Sequence, residues 1–242
     1  MRILLFLCSL ALAVPASAAD FEDRVSVNPD SDAKAIELAQ SVMKNMGGWK
    51  AWDNTRYLNW KFFGNRHHWW DKQTNNIRVE TKGTVILMNL DTMKGRAWED
   101  GEEITHPDSL ALRMERGSKM WVNDSYWMFM PYKLLDPGVT IRYGGTLKME
   151  DGRDADVLNM TFGEGIGYTP QNRYEIFIAK DTGLVEQWNF YTNYSDTEAR
   201  FKGPWTGWKQ FGNIKLATSR GRDIDWEIGV HETVPEGLFT NP

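Results

Sequence analysis

The sequence predicts a mainly β protein built on a large antiparallel sheet that curls or closes, with a helix ahead of it and a helical lid at its centre. Two observations predict the sheet and a third predicts the lid. From Leu58 onward, apolar and polar residues alternate with period two in short runs bounded by Gly, Pro, Asn and Asp. Roughly eleven to thirteen such runs follow one another with short connections, the spacing of antiparallel strands. Between the two halves of this pattern, the stretch from His106 to Gly138 turns helical and then densely apolar.

Residues 1–19, MRILLFLCSLALAVPASAA, read as a secretory signal: a basic residue, an apolar run and a small-residue end, with cleavage after Ala18 or Ala19. Residues 20–242 then form one β domain, since no long-period repeat or low-complexity linker divides them. Cys8 falls inside the signal, so the exported chain is expected to carry no disulfide and no thiol nucleophile. No later stretch approaches the roughly 18 apolar residues of a spanning helix, and no transmembrane segment is expected in the mature chain. The expected location is the periplasm.

After Pro29, apolar residues at Ala35, Leu38, Ala39, Val42 and Met46 recur at helical spacing, with Ser31 as N-cap and Asp32 complementing the dipole. Gly47 and Gly48 stop this helix. Leu58, Trp60 and Phe62 then share one strand face, and His67–Trp70 pairs with Ile77–Lys82 across a polar turn. Val85–Leu90 is apolar throughout, the pattern of a strand buried on both faces. Pro107, Asp108 and Ser109 start a short helix that Gly117 is expected to end.

The stretch from Met120 to Gly138, MWVNDSYWMFMPYKLLDPG, comes next. Tyr126 to Met130 are five consecutive large apolar-bodied residues, which must be buried or bind something. They fit a strand and a helical turn equally. Strands resume at Val139, Ile141 and Tyr143 and at Leu158, Met160 and Phe162. The clearest hairpin leads from Tyr174, Ile176 and Ile178 through Lys180-Asp181-Thr182-Gly183 to Leu184, Trp188 and Phe190, which places Glu186 on an inward face. Gly212-Asn213 turns into Ile214, Leu216 and Thr218, and Ile224, Trp226, Ile228 and Val230 alternate in a last strand.

Composition excludes some functions. The formal net charge is −5 and no run of lysines or arginines occurs, so no nucleic-acid partner is expected. There is no Gly-x-Ser-x-Gly elbow and no His-Glu-x-x-His, which leaves no catalytic residue to name. His67 and His68 are adjacent on a strand and point to opposite faces, the wrong geometry for one metal, so neither metal nor cofactor is expected. Gly163-Glu164-Gly165-Ile166-Gly167 lacks the helix a phosphate loop needs and reads as a flexible connection.

The aromatic content carries the functional signal. Aromatic residues make up 13% of the chain and twelve of them are Trp, which either fill a wide β interior or present apolar surface to a ligand. With helices placed as lids over the sheet, the reading favours an exported, non-enzymatic binding or carrier protein for an apolar ligand. The residues expected to line its site are Leu58, Trp60, Phe62, Leu87, Trp127, Phe129, Leu158 and Met160. A rival reading is carbohydrate binding by Trp69, Trp70, Trp205 and Trp208 on an open surface, and a weaker one is an enzyme using His67 or His68.

The hairpin Tyr174 to Trp188, with Asp181-Thr182-Gly183-Leu184 at its turn, resembles that of the LolA/LolB-like lipoprotein carriers of the bacterial envelope. The ending Val234-Pro235-Glu236-Gly237-Leu238-Phe239 is similar to their closing segment. Gly47-Gly48-Trp49, Asn123 to Leu134, Asp136-Pro137-Gly138 and Gly167 to Arg173 look more closely like an uncharacterised envelope family of the DUF6503 type. The resemblance implies an incomplete β-barrel of about eleven strands with a helical lid, acyl chains in its concavity, and a lipid or lipidated protein as partner. It also admits a sensor of mislocalised lipoproteins that works through an envelope protein partner.

Overall fold

The computed structural model describes residues 27–222 and 224–242. The expected signal, residues 1–19, lies outside them. Two short helices lead the described chain, α1 (Ala33–Asn45) and α2 (Trp49–Asn54). Five strands follow as a meander: β1 (Tyr57–Phe62), β2 (Arg66–Asp71), β3 (Asn76–Thr81), β4 (Thr84–Asn89) and β5 (Lys94–Glu99), with the short β6 (Glu102–Glu103) at its edge. A long helix, α3 (Pro107–Phe129), and a 3-10 turn (Met130–Tyr132) interrupt the sheet. Then come β7 (Val139–Lys148), β8 (Asp154–Phe162), β9 (Arg173–Ala179), β10 (Val185–Tyr191) and β11 (Phe201–Pro204). The hairpin β12 (Thr206–Phe211) and β13 (Ile214–Ser219) and a short β14 (Gly229–His231) close the chain.

The strands form two antiparallel sheets and a separate hairpin, and they do not close into a barrel. The first sheet has seven strands in the order β14-β1-β2-β3-β4-β5-β6, the second five in the order β11-β10-β9-β8-β7. The large antiparallel sheet, the leading helix and the central helix are thus as the alternation and the helical spacing predict. The strand count is higher than about eleven because β6, β11 and β14 are short edge pieces of two to four residues that a periodicity window does not see.

Between the sheets lies one apolar core, with α1 residues Ala35, Ala39 and Val42 and strand residues Leu58, Trp60, Ile141, Leu158, Ile176 and Trp188 in a single cluster. At the start of α1, Asp32 rather than Ser31 holds the N-cap position, and neither side chain caps the helix. Both are used across the chain: Ser31 Oγ accepts from the Ile141 N–H at 3.1 Å and Asp32 Oδ2 from the Tyr143 N–H at 2.8 Å. These bonds fasten the helix to β7 of the second sheet.

The central helix departs most from expectation. Gly117 does not end it; the helix continues through 23 residues and takes in the dense apolar stretch to Phe129. Gly117 is needed for approach, since a Cβ there would lie 2.9 Å from Ile86 Cγ2 and 3.1 Å from Met88 Sδ on β4. Isolated Gly costs a helix about 1 kcal/mol relative to Ala, and here close packing on the sheet offsets it. At the other end of the chain, residues 224–228 are not strand, and only Gly229–His231 pairs with β1.

Candidate binding cleft

Residues 119–127 of α3 run over the ends of β8, β9 and β10, and a cleft of about 610 Å³ opens between helix and sheet. Tyr126 and Trp127 form its helix wall, while Phe162, Tyr174, Trp188 and Phe190 form its sheet wall. The rings make a continuous surface. Tyr174 stacks on Trp188 at 5.4 Å with planes 5° apart, and Trp127 meets Trp188 edge-on at 4.6 Å. Tyr126 lies 5.8 Å from Phe162 and 6.0 Å from Tyr174. Edge-to-face and offset contacts of this kind hold the rings without filling the space between the walls.

The polar groups in the cleft are few and neutral at its depth. The buried Trp188 indole N–H has no hydrogen-bond partner among the described residues. Tyr126 Oη donates only to the weak acceptor Met160 Sδ, at 3.6 Å. Burial pushes both the Tyr126 and the Tyr174 phenols above their ordinary range, so both stay uncharged. The rim is wetter, with Asn123, Thr169, Gln171, Thr192 and the cations Lys119 and Arg200. Such a lining has no nucleophile paired with a base; it suits an apolar ligand whose polar end stays at the mouth.

The connection between β8 and β9, residues 163–172, borders the cleft through Ile166, Gly167 and Tyr168. Tyr168 is half-exposed and shares a hydrogen bond of 3.1 Å with Ser118 of α3, while the Gly163 N–H donates to Gly138 O at 2.8 Å. The glycine-rich segment is thus a flap latched to the helix.

No family model matches the chain, and no curated protein matches it. Solved structures do. One is a DUF1329 family protein from Desulfovibrio piger, 14% identical over 86% of this chain and 97% of that one, with a TM-score of 0.47. Another is a putative outer membrane lipoprotein-sorting protein domain from Vibrio parahaemolyticus, 12% identical over 86% and 96%, with a TM-score of 0.42. A third is a LolA superfamily protein from Nitrosomonas europaea, 11% identical over 84% and 97%, with a TM-score of 0.38.

Of the residues expected to line a site, only Trp127 borders the cleft. Leu58, Trp60, Phe62, Phe129, Leu158 and Met160 belong to the closed core between the sheets. Leu87 lies apart, on the face of β4 opposite Ile86 and Met88, in register between Arg78 and Arg96. Those guanidiniums donate to the carbonyls of Leu238, Asn241 and Thr240, so the C-terminal segment crosses that face. Tyr126, Phe162, Tyr174, Trp188 and Phe190 were not among the expected lining. A partial signal existed, since all are aromatic and, apart from the mid-strand Trp188, lie near strand ends or on the dense apolar stretch.

The four tryptophans of the carbohydrate reading do not share a surface. Trp205 is wholly buried, Trp208 donates its indole N–H to Val185 O at 2.9 Å, and Trp70 packs on Trp121 at 5.0 Å. His67 and His68 point to opposite faces as expected, and His68 serves structure. Its Nε2 donates to Asp124 Oδ2 at 2.7 Å, while Arg66 grips the same carboxylate through bonds of 2.6 and 2.7 Å. Trp60 stacks on the imidazole at 4.7 Å. Burial lowers the His68 pKa against the opposing pull of Asp124 and keeps the ring neutral. Among the described residues no cluster of His, Cys, Asp and Glu could hold a metal ion.

Glu186 does not face inward. A β-bulge between Val185 and Gln187 throws it out of phase with its neighbours, and it pairs with Arg153 and accepts from Thr182 Oγ1 at 2.7 Å.

Proposed function

We propose that this chain is a non-enzymatic binding or carrier protein for an apolar chain, a lipid tail or the acyl group of a lipidated protein, seated between α3 and strands β8 to β10. The aromatic cleft is the observation that carries this reading: its volume of about 610 Å³ lies within the range of small-ligand sites, and its walls present rings with few polar groups. Burial stabilises a tail by roughly 0.8 kcal/mol per methylene, against an association cost of at least about 4 kcal/mol. Short alkyl groups are therefore held weakly, and a tail of about sixteen carbons reaches micromolar affinity. Export to the bacterial envelope belongs to the same reading and is supported by the signal-like segment 1–19.

Native protein, purified without detergent and then denatured, should release lipid detectable by mass spectrometry. No co-extracted lipid, together with no displaceable fluorescent fatty acid, sinks the proposal. Trp127→Asp places a charge on the helix wall and should weaken fatty-acid binding at least about 10-fold in a protein that still melts cooperatively.

A further inference from the structure

The cleft does not end at Trp127. A smaller pocket of about 310 Å³ shares Trp127, Phe190 and Arg200 with it and adds Phe63, Phe201, Arg220 and Arg222. The walls here are again aromatic, but three guanidiniums now stand among them.

These arginines differ from the others of the molecule. Eight arginines sit within ion-pairing distance of a carboxylate: Arg56, Arg66, Arg78, Arg96, Arg113, Arg142, Arg153 and Arg173. The remaining four of the described residues are Arg116, Arg200, Arg220 and Arg222, and three of them line this one pocket. Arg220 is buried and already committed. It donates to Trp127 O at 2.9 and 3.0 Å and to Ala217 O and Ser219 O at 3.1 and 2.9 Å, with its guanidinium 3.6 Å from the Trp205 ring centroid. Burial pushes its pKa down to about 9, which leaves it protonated at neutral pH. It ties the end of α3 to β13 and fixes a positive charge behind the pocket. Arg200 and Arg222 are exposed, and neither has a carboxylate partner among the described residues.

We propose that Arg200 and Arg222 form an anion subsite for the headgroup of the ligand whose tail occupies the cleft, so that the protein selects acidic amphiphiles over neutral ones of the same chain length. The inference rests on the proposed apolar-ligand function. The shared chemistry is an anionic oxygen cluster, carboxylate or phosphate, which arginine grips through paired N–H donors. Arg220 acts as a positioning residue, holding the Trp127 end of the helix where tail and headgroup meet.

The test is displacement of the neutral probe N-phenyl-1-naphthylamine by dodecanoate, dodecyl phosphate and 1-dodecanol. The two anions should compete at concentrations about 10-fold or more below the alcohol, since hydrogen bonds to charged groups are the stronger kind. In the doubly substituted Arg200→Glu, Arg222→Glu protein, checked for an unchanged melting profile, the ratio of alcohol to anion should fall to one or invert. Equal competition by alcohol and anions in the native sequence overturns the subsite while leaving the cleft. If neither the probe nor any dodecyl compound binds, the cleft itself fails and the subsite with it. Loss of the anion preference in inorganic phosphate, but not in sodium chloride of equal ionic strength, would make the arginines a free-anion site and also overturn the assignment.

Discussion

The two sides of α3 meet the two sheets in different ways. Toward the seven-stranded sheet the helix is anchored, beside a shallow open groove lined by Arg66, Met120 and Asn123: Gly117 lies against Ile86 and Met88, and Asp124 is held by Arg66 and His68 with no exposed surface of its own. Toward the five-stranded sheet the same helix leaves a cleft, and Tyr126 and Trp127 meet Tyr174 and Trp188 only through tilted and edge-on ring contacts along its wall. A single element therefore serves as a fixed wall on one side and as a roof on the other. The difference lies in side-chain chemistry, a bare glycine and a buried ion pair against large rings that touch by their edges.

Breaking the closed side should have the largest effect. Asp124→Ala leaves the Arg66 guanidinium and the His68 imidazole without their common partner, and removing one member of a buried pair costs roughly 3–5 kcal/mol. Urea unfolding should show that loss; a change under 1 kcal/mol would mean that the ion pair does not fasten the helix. Gly117→Val should cost about 1–3 kcal/mol by the same measurement, because its methyl groups meet Ile86 where a bare Cβ already comes within 2.9 Å.

Acid should loosen the closed side selectively. Burial depresses the His68 pKa, so its stabilising contribution is complete above the unfolded value of about 6.5 and is lost as pH falls through the folded value. The Asp124 pKa is also lowered, by His68 and Arg66 against its own burial, so its contribution goes at lower pH, below the unfolded value of about 3.9. Stability measured from pH 7 to pH 5 should therefore decline, and His68→Gln should flatten that slope. The smallest effect belongs to the open side. Tyr168→Phe removes the latch to Ser118 and should cost about 1 kcal/mol or less, while hydrogen exchange in residues 163–172 rises.

The closed side was more legible in the sequence than the open one. Alternation placed Leu58, Trp60 and Phe62 on one face, and it paired β2 with β3 across the correct turn, because period two and turn chemistry are local properties. Gly117 was misread because its low helix propensity is local and the contact that repays it, on β4, is not. The dense stretch at Tyr126 to Met130 fitted two conformations since apolar residues on all sides suit any element covered from both faces, as this helix is by two sheets. Glu186 shows a third limit: one extra residue in β10 shifts every later side chain, and no composition marks it. The cleft was least legible. Tyr126, Phe162, Tyr174 and Trp188 converge from a helix and three strands, and periodicity fixes the face each residue takes but not how far apart two faces stand.

In a carrier of the proposed kind, the buried Asp124 would also set the route by which a ligand enters. Swinging α3 away from the seven-stranded sheet would take the buried carboxylate from the Arg66 guanidinium and the His68 N–H, so the roof itself is a poor door. The flap of residues 163–172 is held to the helix through the Tyr168–Ser118 hydrogen bond, with Ile166 against Gly138 and with Gly165 and Gly167 at positive φ. Cargo would then be loaded sideways past Ile166 and Tyr168, at the cost of one half-buried hydrogen bond, and the exchange rate would be set by a loop rather than by the fold.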